Sequence, residues 1–484
     1  MSGEETVRVT TEPTTSTALG ANVAVAVLAA GHGTRMKSAT PKHLHPVAGT
    51  PIVERVIRAG LAIQPAQIVT VVSPELVDLP SRLGMEGQFE TVVQQVADGT
   101  AGAVRTALEQ LRPTTWLVSL LGDSPLLTGE AVRKLVEHAT ESGARVTILT
   151  CVVPDAQSYG RIERDEHHNA RRIVELKNDD PARRQGSCEI NSGIMVLDAA
   201  WAKDALARIQ RSADAGNEYL LTDILEVAID GMREGDPWPI ATVQAGEEVA
   251  HGINDRSQQA AADEIVRRHV RQRFLKAGVS LIGADTIFID DTVEIGSDTT
   301  ILPFSVITGK TIIGSGCQIG PHAVLHDAVI ADKVELRSST VTGSSVGEGT
   351  RVGPYAHLRV NTRIGPNVHV GTSAELKNSA VGDGSHVAHF SYIGDTTIGE
   401  HTNIGAGTIT ANYDGTAKHP TNIGDNAFIG SDSVLIAPVT VGDRARTGAG
   451  SVVNRDVEPG ATVVGVPARP IGNRRKAAAA GSEE

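Results

Sequence analysis

The sequence predicts an α/β domain followed by a parallel β-solenoid, with one helix between them. In the first half, short apolar runs alternate with helical patterns, as in α/β domains with a mainly parallel sheet. In the second half, branched aliphatic residues recur every six positions. This period fits neither a helix nor an alternating strand, but it does fit a solenoid of short strands and corners. The length of 484 residues leaves room for both domains.

Composition narrows the possible functions. The formal charge of −13 argues against a nucleic-acid binder. Cys151, Cys188 and Cys317 are too few and too scattered for a disulfide framework or a zinc site, and Cys317 occupies a core-facing position. No stretch is long and apolar enough to span a membrane, and the N-terminus lacks a secretion signal. We therefore expect a cytoplasmic protein that binds small molecules and neither nucleic acid nor membranes.

The α/β domain is predicted to span residues 21–255, after a disordered tail of residues 1–20. Its first strand, residues 22–28, is a short apolar run typical of buried parallel strands. Further strands are predicted at residues 68–72, 116–121, 146–153 and 193–197, with a helix at residues 129–140.

Two features at strand ends suggest a nucleotide site. Gly31 and Gly33 form a turn after the first strand, where backbone N–H groups can approach an anion. Arg35 and Lys42 follow this turn, and their positive charges suit a triphosphate. The alternative interpretation is that both are solvated surface residues without a ligand. Asp123 ends another buried strand, where α/β sheets place their ligand sites, and one such carboxylate commonly holds Mg²⁺.

The solenoid is predicted over residues 279–472, after a linker helix at residues 256–278 and before a disordered tail of residues 473–484. The six-residue series that predicts it begins with Ile289, Ile295, Ile301, Ile307, Ile313, Ile319 and Leu325. Smaller residues stand two positions before each member and would fill the corners. The rhythm breaks at residues 410–420, which we interpret as a loop that leaves the regular surface, where function is often found.

Two motifs carry a resemblance to a known family. The segment from Leu28 to Met36, with Pro41 and Lys42, is similar to the signature of sugar-phosphate nucleotidylyltransferases. With the hexads and the sequence Asn412-Tyr413-Asp414-Gly415, the whole chain resembles bacterial bifunctional N-acetylglucosamine-1-phosphate uridylyltransferases/glucosamine-1-phosphate acetyltransferases. The resemblance implies a Rossmann-like nucleotidyltransferase domain, a linker helix and a left-handed parallel β-helix of hexapeptide repeats, assembled as a homotrimer.

The resemblance also implies two reactions. Glucosamine 1-phosphate would be acetylated by acetyl-CoA, and N-acetylglucosamine 1-phosphate would then receive UMP from UTP with release of pyrophosphate. The product, UDP-N-acetylglucosamine, would feed peptidoglycan and other cell-envelope polymers. In the second reaction the attacking sugar phosphate is already an anion. Positioning and charge neutralisation by Mg²⁺, Arg35 and Lys42 would therefore matter more than a general base.

The family pattern assigns roles in uridylyl transfer residue by residue. The residues matched to nucleotide and phosphate binding are Leu28, Ala29, Ala30, Gly31, Arg35, Lys42, Leu121 and Gly122. Those matched to uracil recognition are Gln94, Gly99 and Thr100. Those matched to the Mg²⁺ ligands are Asp123 and Asn254, and those matched to amino-sugar contacts are Gly160, Glu175 and Asn191.

The pattern also assigns roles in acetyl transfer. His389 matches the general base that would deprotonate the attacking amine, a task suited to imidazole. Glu375, about one coil earlier, is our candidate to orient that ring, and His386 is interpreted as structural. The residues matched to the sugar phosphate are Arg359, Lys377, Tyr392 and Asn403. Those matched to acetyl-CoA are Ala406, Asn412, Tyr413, Ser431 and Ala449, with Lys418 in the same loop. No Cys or Ser matches a nucleophile, which favours direct transfer.

Two positions depart from the family pattern. The family often has Arg near the chain end as a contact to coenzyme A, where this chain has Gly465, and Arg469 is the nearby candidate to replace it. After Arg359 the family usually shows Pro-Gly, whereas this chain has Val360 and Asn361. The first departure concerns coenzyme affinity and the second concerns local geometry.

Two interpretations are alternatives to an enzyme with two activities. A single-activity nucleotidylyltransferase could carry the β-helix as a non-catalytic oligomerisation module, but such a module needs neither His389 nor the loop that carries Lys418. A non-catalytic scaffold would need neither Asp123 with Asn254 nor the two cations near the glycine turn.

Overall fold

The computed structural model describes residues 19–31, 33–156, 159–212 and 217–471. Residues 1–18 of the predicted N-terminal tail and all of the predicted C-terminal tail, residues 473–484, lie outside these ranges. Leu19 and Gly20 had been assigned to the disordered N-terminal tail, but they belong to a 3₁₀ helix, Leu19–Asn22, in which Gly20 is buried. The chain divides between Asp263 and Glu264 into two compact units, unit 1 and unit 2, which are described separately.

Unit 1 is an α/β domain. Its helices are α1 Ile52–Leu61, α2 Leu79–Leu83, α3 Thr100–Gln110, α4 Gly129–Ser142, α5 Ala199–Leu206 and α6 Ile224–Asp230. Its strands are β1 Val23–Ala29, β2 Pro46–Val47, β3 Thr50–Pro51, β4 Gln67–Val72, β5 Glu90–Val93, β6 Trp116–Leu121, β7 Val146–Asp155, β8 Arg161–Arg164, β9 Ala170–Val174, β10 Gln185–Asp198 and β11 Ile240–Ala245.

The main sheet of unit 1 has the strand order β11-β7-β10-β6-β1-β4-β5, with β8 and β9 attached beside β10. Strand β1 runs parallel to β4 and β6, whereas β10 runs antiparallel to β6 and β7. All seven residues of β1 are buried because alternate side chains enter cores on opposite faces of the sheet. This explains why β1 is a continuous apolar run.

Helix α7, Arg256–Lys276, confirms the predicted helix to within two residues at its C-terminal end. Its first turns pack on unit 1, where the Asp263 carboxylate accepts a hydrogen bond from the Ala48 N–H at 2.6 Å. Its later turns pack on unit 2, where the Arg267 guanidinium donates to the Ile289 carbonyl at 3.1 Å. The helix is therefore shared between the two units. None of the helices in the described part of the chain combines the length and apolar character needed to cross a lipid bilayer.

Unit 2 is a three-sided prism of parallel strands, the left-handed parallel β-helix that the hexads imply. Face A contains Ser280–Leu281, Thr300–Ile301, Gln318–Ile319, Glu335–Leu336, Arg351–Val352, His369–Thr372, His386–His389, Asn403–Ile404, Phe428–Ile429, Arg446–Thr447, Thr462–Val464 and the antiparallel Arg469–Pro470. Face B contains Phe288–Ile289, Val306–Thr308, Val324–His326, Thr340–Thr342, His357–Leu358, Glu375–Lys377, Tyr392–Gly394, Ile409–Ala411, Val434–Ile436 and Val452–Val453. Face C contains Glu294–Ile295, Ile312–Ile313, Val329–Ile330, Ser345–Val346, Arg363–Ile364, Ala380–Val381, Thr396–Ile398, Thr421–Ile423 and Val439–Val441.

The hexad residues form the core of the prism. Ile289, Ile307 and Leu325 are opposite one another on successive coils of face B, and each is completely buried. Ile295, near the first coil, is the exception in the opening series because it is only half-buried. The smaller residues two positions earlier are also buried, including Cys317, whose predicted packing role is confirmed.

The interruption of the hexads is a compact hairpin between face B and face C. The last face B residue before it is Ala411, and the first face C residue after it is Thr421. Within it, Tyr413 and Lys418 form an isolated antiparallel bridge. The buried Thr410, which we had placed in the loop, belongs to the face B strand.

Candidate active sites

Unit 1 contains a cavity of about 200 Å³ beyond the carboxyl ends of β1 and β6. The predicted site residues that line it are Leu28, Ala30, Gly31, Lys42, Gln94, Gly99, Thr100, Leu121 and Asp123. The sequence analysis missed four further lining residues, which are His43, Ala97, Ala103 and Glu218. Ala29 and Gly122 lie directly behind the wall, since a Cβ added at Gly122 would lie 2.9 Å from the Ala29 Cβ.

An ion pair occupies one part of the cavity wall. The Lys42 Nζ lies 2.6 Å from an Asp123 carboxylate oxygen, and the two side chains are 8% and 22% exposed. Lys42 begins a 3₁₀ helix, Lys42–Leu44, that packs against the glycine turn. A Cβ added at Gly33 would lie only 2.5 Å from the Lys42 Cβ, so the turn needs glycine there to let the helix approach. The pairing keeps a nearly buried ammonium from being left without a partner.

Asn254 is brought to the same carboxylate from a distant part of the chain. The Ile253 N–H donates to the Asp123 carbonyl at 2.8 Å, which places the following residue beside Asp123. Arg35 donates to the Asn254 side-chain oxygen at 2.9 Å. The described contacts of the Asp123 carboxylate engage one of its two oxygens, through Lys42. A carboxylate oxygen and a side-chain amide oxygen are ligands that Mg²⁺ accepts, since the ion keeps most of its waters.

The loop matched to uracil recognition is held by its own hydrogen bonds. The nearly buried Gln94 amide donates to the Asp98 carboxylate at 2.8 Å and to the Gly99 carbonyl at 3.4 Å. Gly99 has a φ of 103°, and a Cβ there would lie 2.4 Å from the Tyr219 carbonyl oxygen. Only glycine fits this position. The Thr100 hydroxyl accepts from the Leu221 N–H at 3.0 Å and completes the support.

The three residues matched to the amino-sugar come together next to the cavity. The Asn191 N–H donates to the Gly160 carbonyl at 2.8 Å, and a Cβ added at Gly160 would lie 3.2 Å from a Glu175 carboxylate oxygen. The Asn191 side chain accepts from the Gly193 N–H, and a Cβ at Gly193 would meet the cavity residue Leu121 at 2.3 Å.

A second acid in this cluster was missed by the sequence analysis. Burial raises the pKa of Glu175, the Asp223 carboxylate raises it further, and Arg184 opposes both effects. The pKa of Asp223 is also raised by burial and then by Glu226. Asp223 ends a 3₁₀ turn, Leu221–Asp223, and no local pattern pointed to it, since its proximity to Glu175 arises only in the tertiary fold.

In unit 2, His389 ends a face A strand at an exposed corner. Above it, small residues stack in successive coils along the same corner. The Gly407 N–H donates to the His389 carbonyl at 3.0 Å, and this places Ala406 on the next coil. The Asp432 and Gly450 N–H groups repeat the contact on the Ala406 and Ser431 carbonyls, at 2.7 and 2.8 Å. The matched coenzyme residues Ala406, Ser431 and Ala449 therefore form a straight track that leads to His389.

The residues matched to the sugar phosphate lie mainly on face B. The Arg359 guanidinium pairs with the Glu375 carboxylate at 2.8 Å, and the Lys377 ammonium lies 3.7 Å from Asp395. A hydrogen bond with Lys377 and repulsion from its charge lower the pKa of Lys418, so these two amines are neighbours. Glu375 is on face B and bonds Arg359; its described contacts do not include His389. The structure therefore does not bring together the base and our candidate orienting acid.

Tyr392 acts on the charge of Lys377, whereas Asn403 lies on a different face of the prism. Tyr392 lies opposite Glu375 on face B, and a Cβ added at Gly394 would lie 2.7 Å from the Tyr392 hydroxyl. Asn403 lies opposite His386 on face A. His386 itself is exposed, and its ring centroid is 6.1 Å from that of His369.

The hairpin is ordered by side chains at both ends. The buried Asn412 amide donates to the Asp395 carboxylate, which ties the start of the hairpin to face C. The Asp414 carboxylate accepts from the Thr416 and Ala417 N–H groups, each at 2.7 Å, and contacts the His419 ring at 2.7 Å. These hydrogen bonds, led by the one from Ala417, lower the pKa of Asp414. Tyr413 is left 60% exposed at the surface.

The two departures from the family pattern have structural counterparts. The Gly465 carbonyl accepts from the Val452 N–H at 3.1 Å, at the upper end of the prism. Arg469 is exposed and lies opposite Val464, next to that position. Asn361 has a φ of 61°, a left-handed conformation that Asn tolerates better than most residues. The replacement of Pro-Gly is therefore accommodated at this corner.

Comparisons with known proteins agree with this architecture. The profile of the MobA-like NTP transferase domain matches residues 25–220, and the profile of the bacterial transferase hexapeptide (six repeats) matches residues 292–327 and 420–455. A protein of Streptomyces avermitilis named bifunctional protein GlmU is 40% identical over 444 residues, covering 91% of each chain. Proteins of the same name from Heliobacterium modesticaldum and Enterococcus faecalis are each 42% identical, over 439 and 419 residues. These matches cover 90% and 86% of this chain and 94% and 89% of the relatives.

Identity of this degree, over nearly the full length of both partners, includes the cavity of unit 1 and the prism of unit 2. The chain belongs to the family of bifunctional proteins named GlmU, which confirms the resemblance predicted from its sequence.

Proposed function

We propose that this chain carries out two consecutive steps of UDP-N-acetylglucosamine synthesis. It transfers the acetyl group of acetyl-CoA to glucosamine 1-phosphate, and it joins the N-acetylated product to UMP from UTP with release of pyrophosphate. The observation that carries the proposal is the separate construction of two polar clusters, one in each unit, on a chain that matches bifunctional relatives over 91% of its length. The product feeds peptidoglycan and other cell-envelope polymers.

We assign the two activities to different parts of the chain. Uridylyl transfer belongs to residues 21–255 and acetyl transfer to residues 279–472, with the helix at residues 256–278 between them. The division after Asp263 and the two separate clusters support this assignment. We further propose a cytoplasmic homotrimer; the match of residues 292–327 and 420–455 to bacterial transferase hexapeptide repeats supports the trimer.

Uridylyl transfer depends on binding and neutralising phosphate charge. The phosphate oxygen of N-acetylglucosamine 1-phosphate attacks the α-phosphorus of UTP, the new P–O bond forms, and the bond to pyrophosphate breaks. Lys42 lines the cavity, whereas Arg35 is exposed and lies outside that lining; Lys42 is oriented by Asp123 and Arg35 by Asn254. Because these charges are in place before the reaction, they stabilise the transition state without reorganising.

Asp123 and Asn254 are the residues that would hold Mg²⁺. The fit rests on the second Asp123 oxygen, which Lys42 leaves unengaged, and on the side-chain oxygen of Asn254, whose neighbour Ile253 bonds the Asp123 backbone carbonyl. Within the described residues no group of three or more His, Cys, Asp or Glu gathers as a metal cage, and Mg²⁺ needs none. When bound, the ion would supply further positive charge against the phosphates.

Acetyl transfer uses His389 as the base. The His389 imidazole takes a proton from the amine of glucosamine 1-phosphate as the nitrogen attacks the thioester carbonyl. The C–N bond forms, the C–S bond breaks, and the proton passes to the departing thiolate of coenzyme A. The track of Ala406, Ser431 and Ala449 supports the coenzyme, and Arg359 with Lys377 binds the sugar phosphate.

Two assays on one sample test the proposal. Pyrophosphate release that requires both UTP and N-acetylglucosamine 1-phosphate should appear, and so should thiol release that requires acetyl-CoA and glucosamine 1-phosphate. Uridylyl transfer without thiol release would instead support a single-activity enzyme with a non-catalytic prism. Absence of both reactions in a folded sample would reject the proposal.

A further inference from the structure

A buried histidine lines the nucleotide cavity and has no role in the mechanism above. His43 follows Lys42 in the 3₁₀ helix Lys42–Leu44 and is only 2% exposed. Its Nδ1 atom is buried and has no hydrogen-bond partner among the described residues. Buried polar atoms without partners are uncommon and cost stability. A ring held this way, in the wall of a ligand cavity, points to a function that depends on the ligand.

The tautomer of His43 follows from its surroundings. An orphaned buried N–H is rarer than an under-satisfied buried acceptor, so the proton belongs on Nε2 rather than on Nδ1. The pKa of His43 is lowered to about 4, mainly by burial and also by the Lys42 ammonium, while the Asp123 carboxylate opposes the shift. The ring is therefore neutral at pH 7. It brings one N–H donor and no charge to the cavity wall.

The position of the ring indicates what this donor meets. His43 lines the cavity together with Lys42 and Asp123, and both of these charges act on its ring. The residues matched to uracil, such as Gln94, line the cavity from a different loop. A donor beside the paired cation therefore faces phosphate oxygens rather than the base.

We propose that His43 is a further binding residue of the uridylyltransferase site, whose Nε2–H donates to a phosphate oxygen of the nucleoside triphosphate. This inference rests on the proposed uridylyl transfer. The neutral donor complements Lys42, because an ammonium attracts phosphate from many directions, whereas an imidazole N–H fixes one direction.

Three substitutions in the full-length enzyme test the proposal. His43→Leu removes the donor and also the orphaned Nδ1. His43→Gln can place an amide nitrogen at the distance of Nε2 from the backbone, whereas His43→Asn places one near Nδ1. The KM for UTP and kcat are measured by pyrophosphate release, the melting temperature is followed by tryptophan fluorescence, and thiol release from acetyl-CoA serves as the control.

We expect His43→Leu to raise the KM for UTP roughly tenfold while kcat changes less than about twofold, the pattern of a lost binding contact. Its melting temperature should equal or exceed that of the unsubstituted enzyme, because a buried atom without a partner is gone. His43→Gln should recover most of the affinity, and His43→Asn should not. Uridine, which lacks phosphates, should inhibit all the enzymes equally.

Other outcomes would overturn the proposal. An unchanged KM for UTP in His43→Leu would remove the contact. A higher KM with a lower melting temperature and no recovery in His43→Gln would make His43 a packing residue. Weaker inhibition by uridine in His43→Leu would move the contact from phosphate to nucleoside. If the unsubstituted enzyme itself releases no pyrophosphate from UTP, the proposed function fails instead.

Discussion

The cavity in unit 1 and the corner in unit 2 hold their charged residues in opposite ways. Lys42 and Asp123 are 8% and 22% exposed, and they come from segments 81 residues apart. Arg359 and Glu375 are 44% and 39% exposed, and they lie on neighbouring coils of a regular prism. Breaking a buried pair strands a charge, whereas an exposed pair contributes little to stability. A substitution at the first site should therefore change both ligand binding and the stability of unit 1, whereas one at the second site should change binding with little effect on stability.

The largest expected effect is that of Asp123→Ala. It should abolish uridylyl transfer and leave acetyl transfer intact, and it should lower the stability of unit 1 by about 3–5 kcal/mol because Lys42 is left unpaired. Trp116, Trp201 and Trp238 are the three tryptophans of the chain, and all lie in unit 1, so denaturant unfolding followed by tryptophan fluorescence reports on that unit alone.

The double variant Lys42→Met with Asp123→Leu separates the two effects. It should regain most of the lost stability, because both charges are gone, while uridylyl transfer remains absent. If Asp123→Ala were as stable as the unsubstituted protein, the contrast between the two sites would collapse. If it impaired both activities equally in a folded sample, the assignment of Asp123 would be wrong.

His389→Ala should act on chemistry alone. Loss of a general base should slow acetyl transfer by roughly 10²–10⁴-fold, with no change in melting temperature, since the ring is exposed. We further predict that the acetyl-transfer site is shared in the proposed trimer, with the hairpin of one chain next to the His389 of a neighbouring chain. Subunits with His389→Ala and subunits lacking residues 412–418 should each be inactive alone, yet mixed trimers should recover part of the thiol release. Mixed trimers confirmed by mass, but with no more activity than either parent, would place each site within one chain.

Fragments of the chain test where the two units separate. A fragment ending at Asp263 should retain uridylyl transfer better than one ending at Asp255. The shorter fragment loses the bond between Asp263 and Ala48 and also the Gln258 side chain, which accepts from the Asn254 N–H at 2.7 Å. The shorter fragment should therefore need more Mg²⁺ for half-maximal pyrophosphate release. Equal Mg²⁺ requirements would show that α7 does not support Asn254.

The matching fragment of unit 2 should begin at Glu264 rather than at Arg271. A start at Arg271 removes Arg267, which contacts both the Ile289 carbonyl and the Asp290 carboxylate. Both fragments should release thiol from acetyl-CoA, but the longer one should melt at a higher temperature. If neither fragment is active although both are folded, the two activities are not modular.

The smallest stability effect is expected for Arg359→Ala. Its exposed pair with Glu375 should contribute no more than about 1 kcal/mol, so calorimetric melting of unit 2 should barely change. The KM for glucosamine 1-phosphate should rise, because a phosphate contact is lost. Arg363→Ala, an exposed cation on face C, is the matched control and should change neither quantity. A large loss of stability in Arg359→Ala would erase the difference between the sites.

The features that could be predicted from the sequence are those marked by a repeat or by the end of a buried strand. The hexads located the prism because each core side chain, such as Ile307 or Leu325, recurs at a fixed spacing that a single strand could not produce. The strand before Gly31 and the strand before Asp123 located the cavity because parallel sheets place their ligands beyond strand ends. The helix at residues 256–278 was predicted from apolar residues that recur every four positions, which are Ala262, Val266, Val270 and Phe274.

What the sequence could not predict depends on pairs that only the fold creates. Nothing local shows that Lys42 meets Asp123, that Asp223 approaches Glu175, or that His43 is buried in the same wall. Glu375 and His389 are a pair that the sequence suggested but the described hydrogen bonds do not include. Glu375 lies one coil below His389, as predicted, but on face B, and its described hydrogen bonds include Arg359 and not His389.

The coils above His389 are stacked at a regular spacing, which fixes distances along this corner of the prism. Neighbouring strands lie about 4.8 Å apart, so the three steps from His389 through Ala406 and Ser431 to Ala449 span about 14 Å. The distance along this corner can therefore change only by whole coils. Removing one complete turn of the prism between His389 and Ala449 would leave the hydrophobic repeat intact. It would shorten the distance along this corner by one strand spacing, about 4.8 Å. The distance from His389 to each coil of this corner is therefore fixed by the number of coils between them.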